Sequence, residues 1–142
     1  MTEQDAMEVI NALVRVCHGN SYRAGWWHDP VTGESLIPEH VNGAANEIRE
    51  SYAPYVIATK ICLIHSEVSE AMEGHRRGAM DDKLPHRSMI EVELADALIR
   101  ICDLAGQMKL DLAGAVFEKI GYNLERPDHQ IVNRRAAGGK LY

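Results

Sequence analysis

Two segments with the apolar spacing of helices each carry a pair of acidic residues three positions apart. The first pair is Glu67 and Glu70, and the second is Glu93 and Asp96. Residues three apart lie on one face of a helix, where like charges repel by about 0.2–0.5 kcal/mol. A sequence that accepts this repulsion twice, beside apolar residues, favours a compensating hard cation such as Mg²⁺. The pattern therefore predicts two helices that lie close together around a metal ion.

The neighbours of the second pair predict that its acids are enclosed. Glu93 and Asp96 fall between two apolar stripes of the predicted helix, and enclosed carboxylates must be paired, protonated or metal-bound. The alternative is a solvated charged face with i,i+4 ion pairs such as Asp96–Arg100. The same angular offset of the acids on both helices favours the metal. The two stripes consist of Ile90, Leu94, Ala97, Leu98 and Ile101, and of Val92 and Ile99.

Helical spacing recurs along the chain, whereas strand-type alternation is scarce. We predict one all-α domain over residues 1–142, an antiparallel helical bundle, because the connections between helices are short. Residues 19–46 are predicted to form a long loop, since Gly, Asn and Asp-Pro interrupt the periodicity. Residues 129–142 form a basic tail. Asp111 is predicted as an N-cap. The helices are predicted over residues 3–18, 46–52, 54–77, 88–108 and 111–126.

Composition and charge restrict the possible partners. The net charge of −6 argues against a stable complex with nucleic acid, and no apolar run approaches the length of a membrane span. The acidic N-terminus lacks the apolar core of a signal peptide. Cys17, Cys62 and Cys102 each lie beside apolar neighbours, which predicts buried free thiols in a reducing compartment. These features together favour a cytoplasmic protein.

The acidic pairs and their surroundings resemble the MazG-like, all-α nucleoside triphosphate pyrophosphohydrolases. The signature of that family is ExxE, a variable spacer and then ExxD, and here the spacer is the 22 residues 71–92. The segments SEVSEAMEG and VELADALIRICDLAG match the context of the two pairs. The segment DLAGAVFEKIGYNLERPDH looks like the closing helix of the family. The resemblance covers about residues 55–128.

The resemblance implies Mg²⁺-dependent hydrolysis of a (deoxy)nucleoside triphosphate to a monophosphate and pyrophosphate, which trims the nucleotide pool. It makes the four acids of the two pairs the catalytic residues and Mg²⁺ ligands, although Glu70 is also a candidate general base. It also implies that Lys119 and Asn123 contact phosphate oxygens. Arg126 shares their helix face and is a further substrate-binding candidate. A homodimer or homotetramer is expected.

Three other residues are candidates for substrate binding, each with a structural alternative. Lys60 lies upstream of the first pair and is predicted either to touch phosphate or to pair with an acid. Trp26 and Trp27 are predicted either to stack on a base, Trp27 being the chosen candidate, or to anchor the long loop. The alternative functions are a phosphoribosyl-ATP pyrophosphohydrolase and a non-enzymatic helical oligomer that serves as a scaffold.

Overall fold

The computed structural model describes residues 1–37 and 44–139, with the backbone alone for residues 44–50. Within these ranges the secondary structure is helical apart from two isolated β-bridges, so the all-α prediction is confirmed. No helix in the described part of the chain has the length and hydropathy to span a membrane. The helices are α1 Glu3–Arg23, α2 Ala44–Arg77, α3 Met89–Gln107, α4 Leu112–Glu125 and α5 Ile131–Arg135, with a 3₁₀ turn at Pro127–His129 between α4 and α5.

The long loop is shorter than predicted, because the helices on both sides extend into it. The helix α1 continues through Gly19 to Arg23, and Cys17, beside this extension, is buried. The helix α2 is continuous through Pro54, where two helices were predicted. Proline removes one backbone donor, but a 34-residue helix keeps its hydrogen bonds on both sides of that position. Residues 24–37 form turns joined by a β-bridge between His28 and Ser35, and residues 38–43 lie outside the described ranges.

The helices α2 and α3 form an antiparallel hairpin. Near the turn they approach closely at Gly74, where an added Cβ would lie 2.9 Å from the Cβ of Met89. Gly78 ends α2 with a positive φ of 59°, a conformation that glycine adopts without steric cost. Ser88 begins α3 with a capping box, in which its hydroxyl and the Glu91 carboxylate satisfy each other's backbone N–H groups. The start of α3 predicted from the sequence is confirmed.

The chain divides into two compact units, and the single domain predicted from the sequence remains a prediction. One unit comprises Leu13–Leu110 and contains the α2–α3 hairpin. The other comprises Met1–Ala12 and Asp111–Tyr142. In this second unit, α4 begins as predicted, because the Asp111 carboxylate accepts a hydrogen bond from the backbone N–H of Gly114 at 2.9 Å.

The apolar residues of α3 are only partly enclosed in the single chain. Ala97 is buried, but Leu94 and Leu98 are 52% and 48% exposed, so the prediction that both stripes are covered is wrong for the chain alone. Cys17 and Cys102 are buried free thiols as predicted. Cys62, on α2, is exposed, so the prediction of a buried thiol is wrong at this position.

Candidate metal centre and adjoining cavity

Three of the four predicted acids converge between α2 and α3. Glu67 from α2 and Glu93 and Asp96 from α3 each offer a carboxylate oxygen, and these oxygens all lie within 4.8 Å of one another. Glu67 is 6% exposed and Glu93 is 7% exposed, whereas Asp96 is partly exposed. These side chains lie close together because the antiparallel hairpin places the middle of α2 beside the first half of α3. We call these three residues the acid cluster.

The fourth acid, Glu70, lies outside the acid cluster but close enough to affect it electrostatically. Its side chain is exposed. Its negative charge nevertheless contributes to the raised pKa of Glu93. A carboxylate in this position, solvated and adjacent to the acid cluster, is suited to accept a proton from water.

Burial and like charges raise the pKa of two members of the acid cluster. The pKa of Glu93 rises to about 7, first because of burial, then because of a hydrogen bond with Glu67 and the negative charges of Glu70, Glu67 and Asp96. Burial also raises the pKa of Asp96, and the charge of Glu67 adds to this effect. Without a bound cation, Glu93 is therefore only partly ionised at neutral pH.

Arg100 supplies the cluster with a positive charge from α3. Its Nε donates a hydrogen bond to Oε1 of Glu67 at 2.6 Å, across the hairpin. The sequence suggested instead that Arg100 would pair with Asp96 one turn earlier on its own helix. The partner changes because Glu67 is the more deeply buried acid, and a buried carboxylate needs a charged hydrogen-bond donor more than a partly solvated one does.

The donor set of the acid cluster fits a hard divalent cation. Oxygen ligands alone are what Mg²⁺, Mn²⁺ and Ca²⁺ prefer, and Mg²⁺ usually retains water or phosphate oxygens beside one or two carboxylates. The electrostatics also favour a cation. The negative charge of the buried acids is otherwise offset only by partial protonation of Glu93 and by the guanidinium of Arg100 beside Glu67. The choice of Mg²⁺ among these ions comes from the family resemblance.

The connector between α2 and α3 contributes a further acid, Asp81, which the sequence suggested either as a cap over the triphosphate or as part of an exposed polar loop. Asp81 is 6% exposed. Its Oδ1 accepts hydrogen bonds from the backbone N–H groups of Lys83 and Leu84 at 3.0 and 2.5 Å. Its negative charge also raises the pKa of Asp96. Asp81 therefore folds the connector and adds to the negative potential near the acid cluster.

A cavity of about 700 Å³ adjoins the acid cluster within the Leu13–Leu110 unit. Asp96 belongs to both, since it lines the cavity and contributes to the acid cluster. This volume lies in the range typical of sites for small molecules and cofactors. The apolar part of the wall includes Leu13, Val16, Trp26, Leu63 and Ile99, and the polar part includes Asn20, Lys60, Asp96, Arg100 and Asp103.

Asp103, on α3, holds both the end of α1 and the segment that follows α1. Its buried carboxylate accepts hydrogen bonds from the indole N–H of Trp27 and the hydroxyl of Ser21, both at 2.7 Å. Nδ1 of His18 lies 3.0 Å from the same group. Sequence reasoning missed this role. The available signal was spacing, because Asp96, Arg100 and Asp103 recur at i, i+4 and i+7 and thus share one face of α3.

The two tryptophans have different environments. Trp27 is fully buried, so in this conformation it anchors the segment, and the substrate contact predicted for it remains a prediction. Trp26 is 69% exposed and lines the cavity. Lys60 connects the two: its Nζ donates to the carbonyl of Trp26 at 3.0 Å and lies 4.2 Å from the ring centroid of Trp27. Burial lowers the pKa of Lys60.

The other predicted phosphate-binding residues lie on or next to α4, in the second compact unit. Lys119 and Asn123 line a cavity of about 390 Å³, and Nζ of Lys119 lies 4.5 Å from the ring centroid of Tyr122. Oδ1 of Asn123 is buried without a hydrogen-bond partner among the described residues. Arg126, the C-cap of α4, donates two hydrogen bonds to Asp128, at 2.9 and 2.6 Å. The phosphate contacts of Lys119, Asn123 and Arg126 remain predictions.

Comparisons of the chain with models of protein families, with curated proteins and with solved structures gave no match.

Proposed function

We propose that this protein is a Mg²⁺-dependent nucleoside triphosphate pyrophosphohydrolase of the MazG-like type. The observation that carries the proposal is the acid cluster, in which two buried acids and one partly exposed acid converge beside a cavity. An acidic site attracts a triphosphate only when metal ions reverse the local charge. The same residues form the ExxE and ExxD pairs on which the family resemblance rests.

The chain's own residues have distinct roles in this proposal. Glu67, Glu93 and Asp96 hold the cation, and Glu70, which is solvated and adjacent, accepts the proton of the attacking water. Mg²⁺ held by Glu67, Glu93 and Asp96 would polarise the phosphoryl oxygens and neutralise the charge of the leaving pyrophosphate. The cavity adjoins the acid cluster at Asp96 but is not lined by Glu67 or Glu93. In this proposal the cavity therefore accommodates the nucleoside part of the substrate, next to the cation.

Trp26 is the residue best placed to contact the base. Its indole is exposed and lines the cavity, and aromatic side chains stack on bases with little preference among them. The neighbouring Trp27 is held in place by its hydrogen bond to Asp103 and by Lys60, whose Nζ lies over its ring. We therefore assign the stacking contact to Trp26, one residue before the position chosen from the sequence.

A homo-oligomer is part of the proposal. Large apolar side chains are exposed on both helices of the hairpin, including Val68 at 52% and Met72 at 67% on α2, and Leu94 and Leu98 on α3. Exposed apolar surface of this extent is typical of a contact between subunits. Sedimentation equilibrium distinguishes a dimer or tetramer from a monomer, and a monomer would contradict this part.

The enzymatic test is incubation with a panel of dNTPs and NTPs plus Mg²⁺, with chromatographic identification of the products. We expect a nucleoside monophosphate and pyrophosphate, and loss of turnover in Glu93→Gln with unchanged helix content by circular dichroism. The matched control is Glu73→Gln, an acid on the outer surface of α2 that pairs with Arg76. This variant should retain wild-type turnover.

The possible outcomes separate the alternatives. Release of orthophosphate instead of pyrophosphate would place the cleavage at another bond. Phosphoribosyl-ATP is tested beside the panel, and turnover of that compound alone would make it the substrate. Inactivity across the whole panel, together with no effect of Mg²⁺ on the thermal unfolding midpoint, would favour the scaffold.

A further inference from the structure

Arg100 is positioned between the acid cluster and the cavity. Its Nε is hydrogen-bonded to Glu67 at 2.6 Å, and the same side chain lines the cavity wall. The Arg100 side chain is 41% exposed, whereas that of Glu67 is 8% exposed. The guanidinium therefore approaches a buried carboxylate from the solvent side and has room to turn away from it.

The charge on Arg100 duplicates what a metal ion would provide. Glu67, Glu93 and Asp96 lie close enough to share one cation, and the guanidinium of Arg100 compensates the charge of one of them, Glu67. A divalent ion held by the same oxygens would lie within a few ångströms of the guanidinium and repel it. Arg100 and the cation thus compete for Glu67.

The cavity gives the Arg100 side chain a second position, in which the phosphates of a bound ligand would be its anionic partner. Two of the described lining residues are cationic, Lys60 and Arg100. Lys60 is already engaged by the carbonyl of Trp26 and the ring of Trp27. Arg100, in contrast, would lose its present partner, Glu67, to the metal ion. Its planar guanidinium is also suited to bidentate contact with phosphate.

We propose that Arg100 is an internal counter-ion that leaves Glu67 when a divalent cation binds and then contacts the phosphates of the ligand. This inference rests on the proposed function. Arg100 lowers the metal affinity of the empty site and strengthens nucleotide binding once the metal is present. The metal and the nucleotide therefore bind with positive coupling, in which each increases the affinity for the other.

The test is isothermal titration calorimetry with Mn²⁺ as the probe, on wild type and Arg100→Met, with and without an α,β-methylene dNTP analogue. Without the analogue, we expect Arg100→Met to bind Mn²⁺ about tenfold more tightly than wild type. The analogue should raise the Mn²⁺ affinity of wild type by a larger factor than that of the variant. The matched control is Arg76→Met, an arginine that is 73% exposed on α2 and should leave both quantities unchanged.

Two further variants separate charge from packing. Arg100→Lys keeps the positive charge and should bind Mn²⁺ nearly as wild type does. Arg100→Gln removes the charge but retains a hydrogen-bond donor for Glu67, and it replaces Arg100→Met in the test if that variant does not fold. Wild type that binds Mn²⁺ no more weakly than the neutral variants would overturn the inference and leave the proposed function intact. Absence of Mn²⁺ binding in every protein, including wild type, would overturn both.

Discussion

Replacement of Glu93 by Gln should stabilise the metal-free protein at alkaline pH while abolishing the proposed hydrolytic activity. The pKa of Glu93 is raised from 4.5 to about 7 by burial and by the neighbouring acids. A carboxyl group with a raised pKa favours folding only while it is protonated. Its contribution is complete below pH 4.5 and is lost as the pH rises through 7.

The magnitude follows from the two pKa values. Each pKa unit corresponds to about 1.4 kcal/mol, so ionisation of Glu93 costs about 1 kcal/mol of unfolding free energy at pH 5 and about 3 kcal/mol at pH 8. Glutamine has nearly the same shape and no charge to ionise. In EDTA, Glu93→Gln should therefore exceed wild type by about 1–3 kcal/mol at pH 8, and by much less at pH 5.

The assay is urea denaturation followed by circular dichroism at both pH values, in EDTA and in excess Mg²⁺. Mg²⁺ should raise the unfolding free energy of wild type, by about 2.7 kcal/mol at a hundred times its Kd, and should have little effect on Glu93→Gln. The control Glu73→Gln removes an exposed acid that is 39% accessible and should stay within about 0.5 kcal/mol of wild type. Equal stability differences at pH 5 and pH 8 for Glu93→Gln would refute the reasoning.

Two other predictions concern the contacts of α3 with α1 and the following segment. Gly106→Ala should lower the unfolding free energy by about 1–3 kcal/mol in urea denaturation, because its Cβ would lie 2.5 Å from the Cβ of His18. Gly121→Ala, with nothing within 4 Å of the new Cβ, should stabilise the protein by about 0.5–1 kcal/mol, and an equal effect of both variants would contradict the predicted clash. Asp103→Ala should expose Trp27, which is now fully buried, so acrylamide should quench the tryptophan fluorescence more strongly than in wild type. Unchanged quenching would show that the hydrogen bond does not hold the segment.

The local features of the fold could be predicted because they depend on short stretches of sequence. Ser88 and Asp111 cap helices as their side-chain chemistry requires. Glu93 is buried as predicted, but the reason given for its burial, full coverage of both apolar stripes, is wrong for the chain alone. The extension of α1 to Arg23 could not be predicted, because contacts with α3 outweigh the weak helix propensity of its Gly and Asn residues.

The partners of the charged residues were the least predictable part of the candidate site. Spacing along one helix suggested Asp96 as the partner of Arg100, but the ion pair forms with Glu67 on another helix. The role of Asp103 likewise depends on residues 76 to 85 positions away in the chain. Such pairings depend on tertiary packing, and the period of a single helix carries no information about them.

The hydrogen bonds of Asp103 have a consequence for how this molecule could diversify. The carboxylates that would hold the cation belong to the α2–α3 hairpin. Trp26 and Asn20, which line the cavity, belong instead to a stretch that is held to α3 by the carboxylate of Asp103. Substitution of Asn20 or Trp26 leaves the hydrogen bonds of Asp103 and the α2–α3 hairpin unchanged. Selectivity for a new ligand can therefore evolve, or be engineered, without any change in the acid cluster.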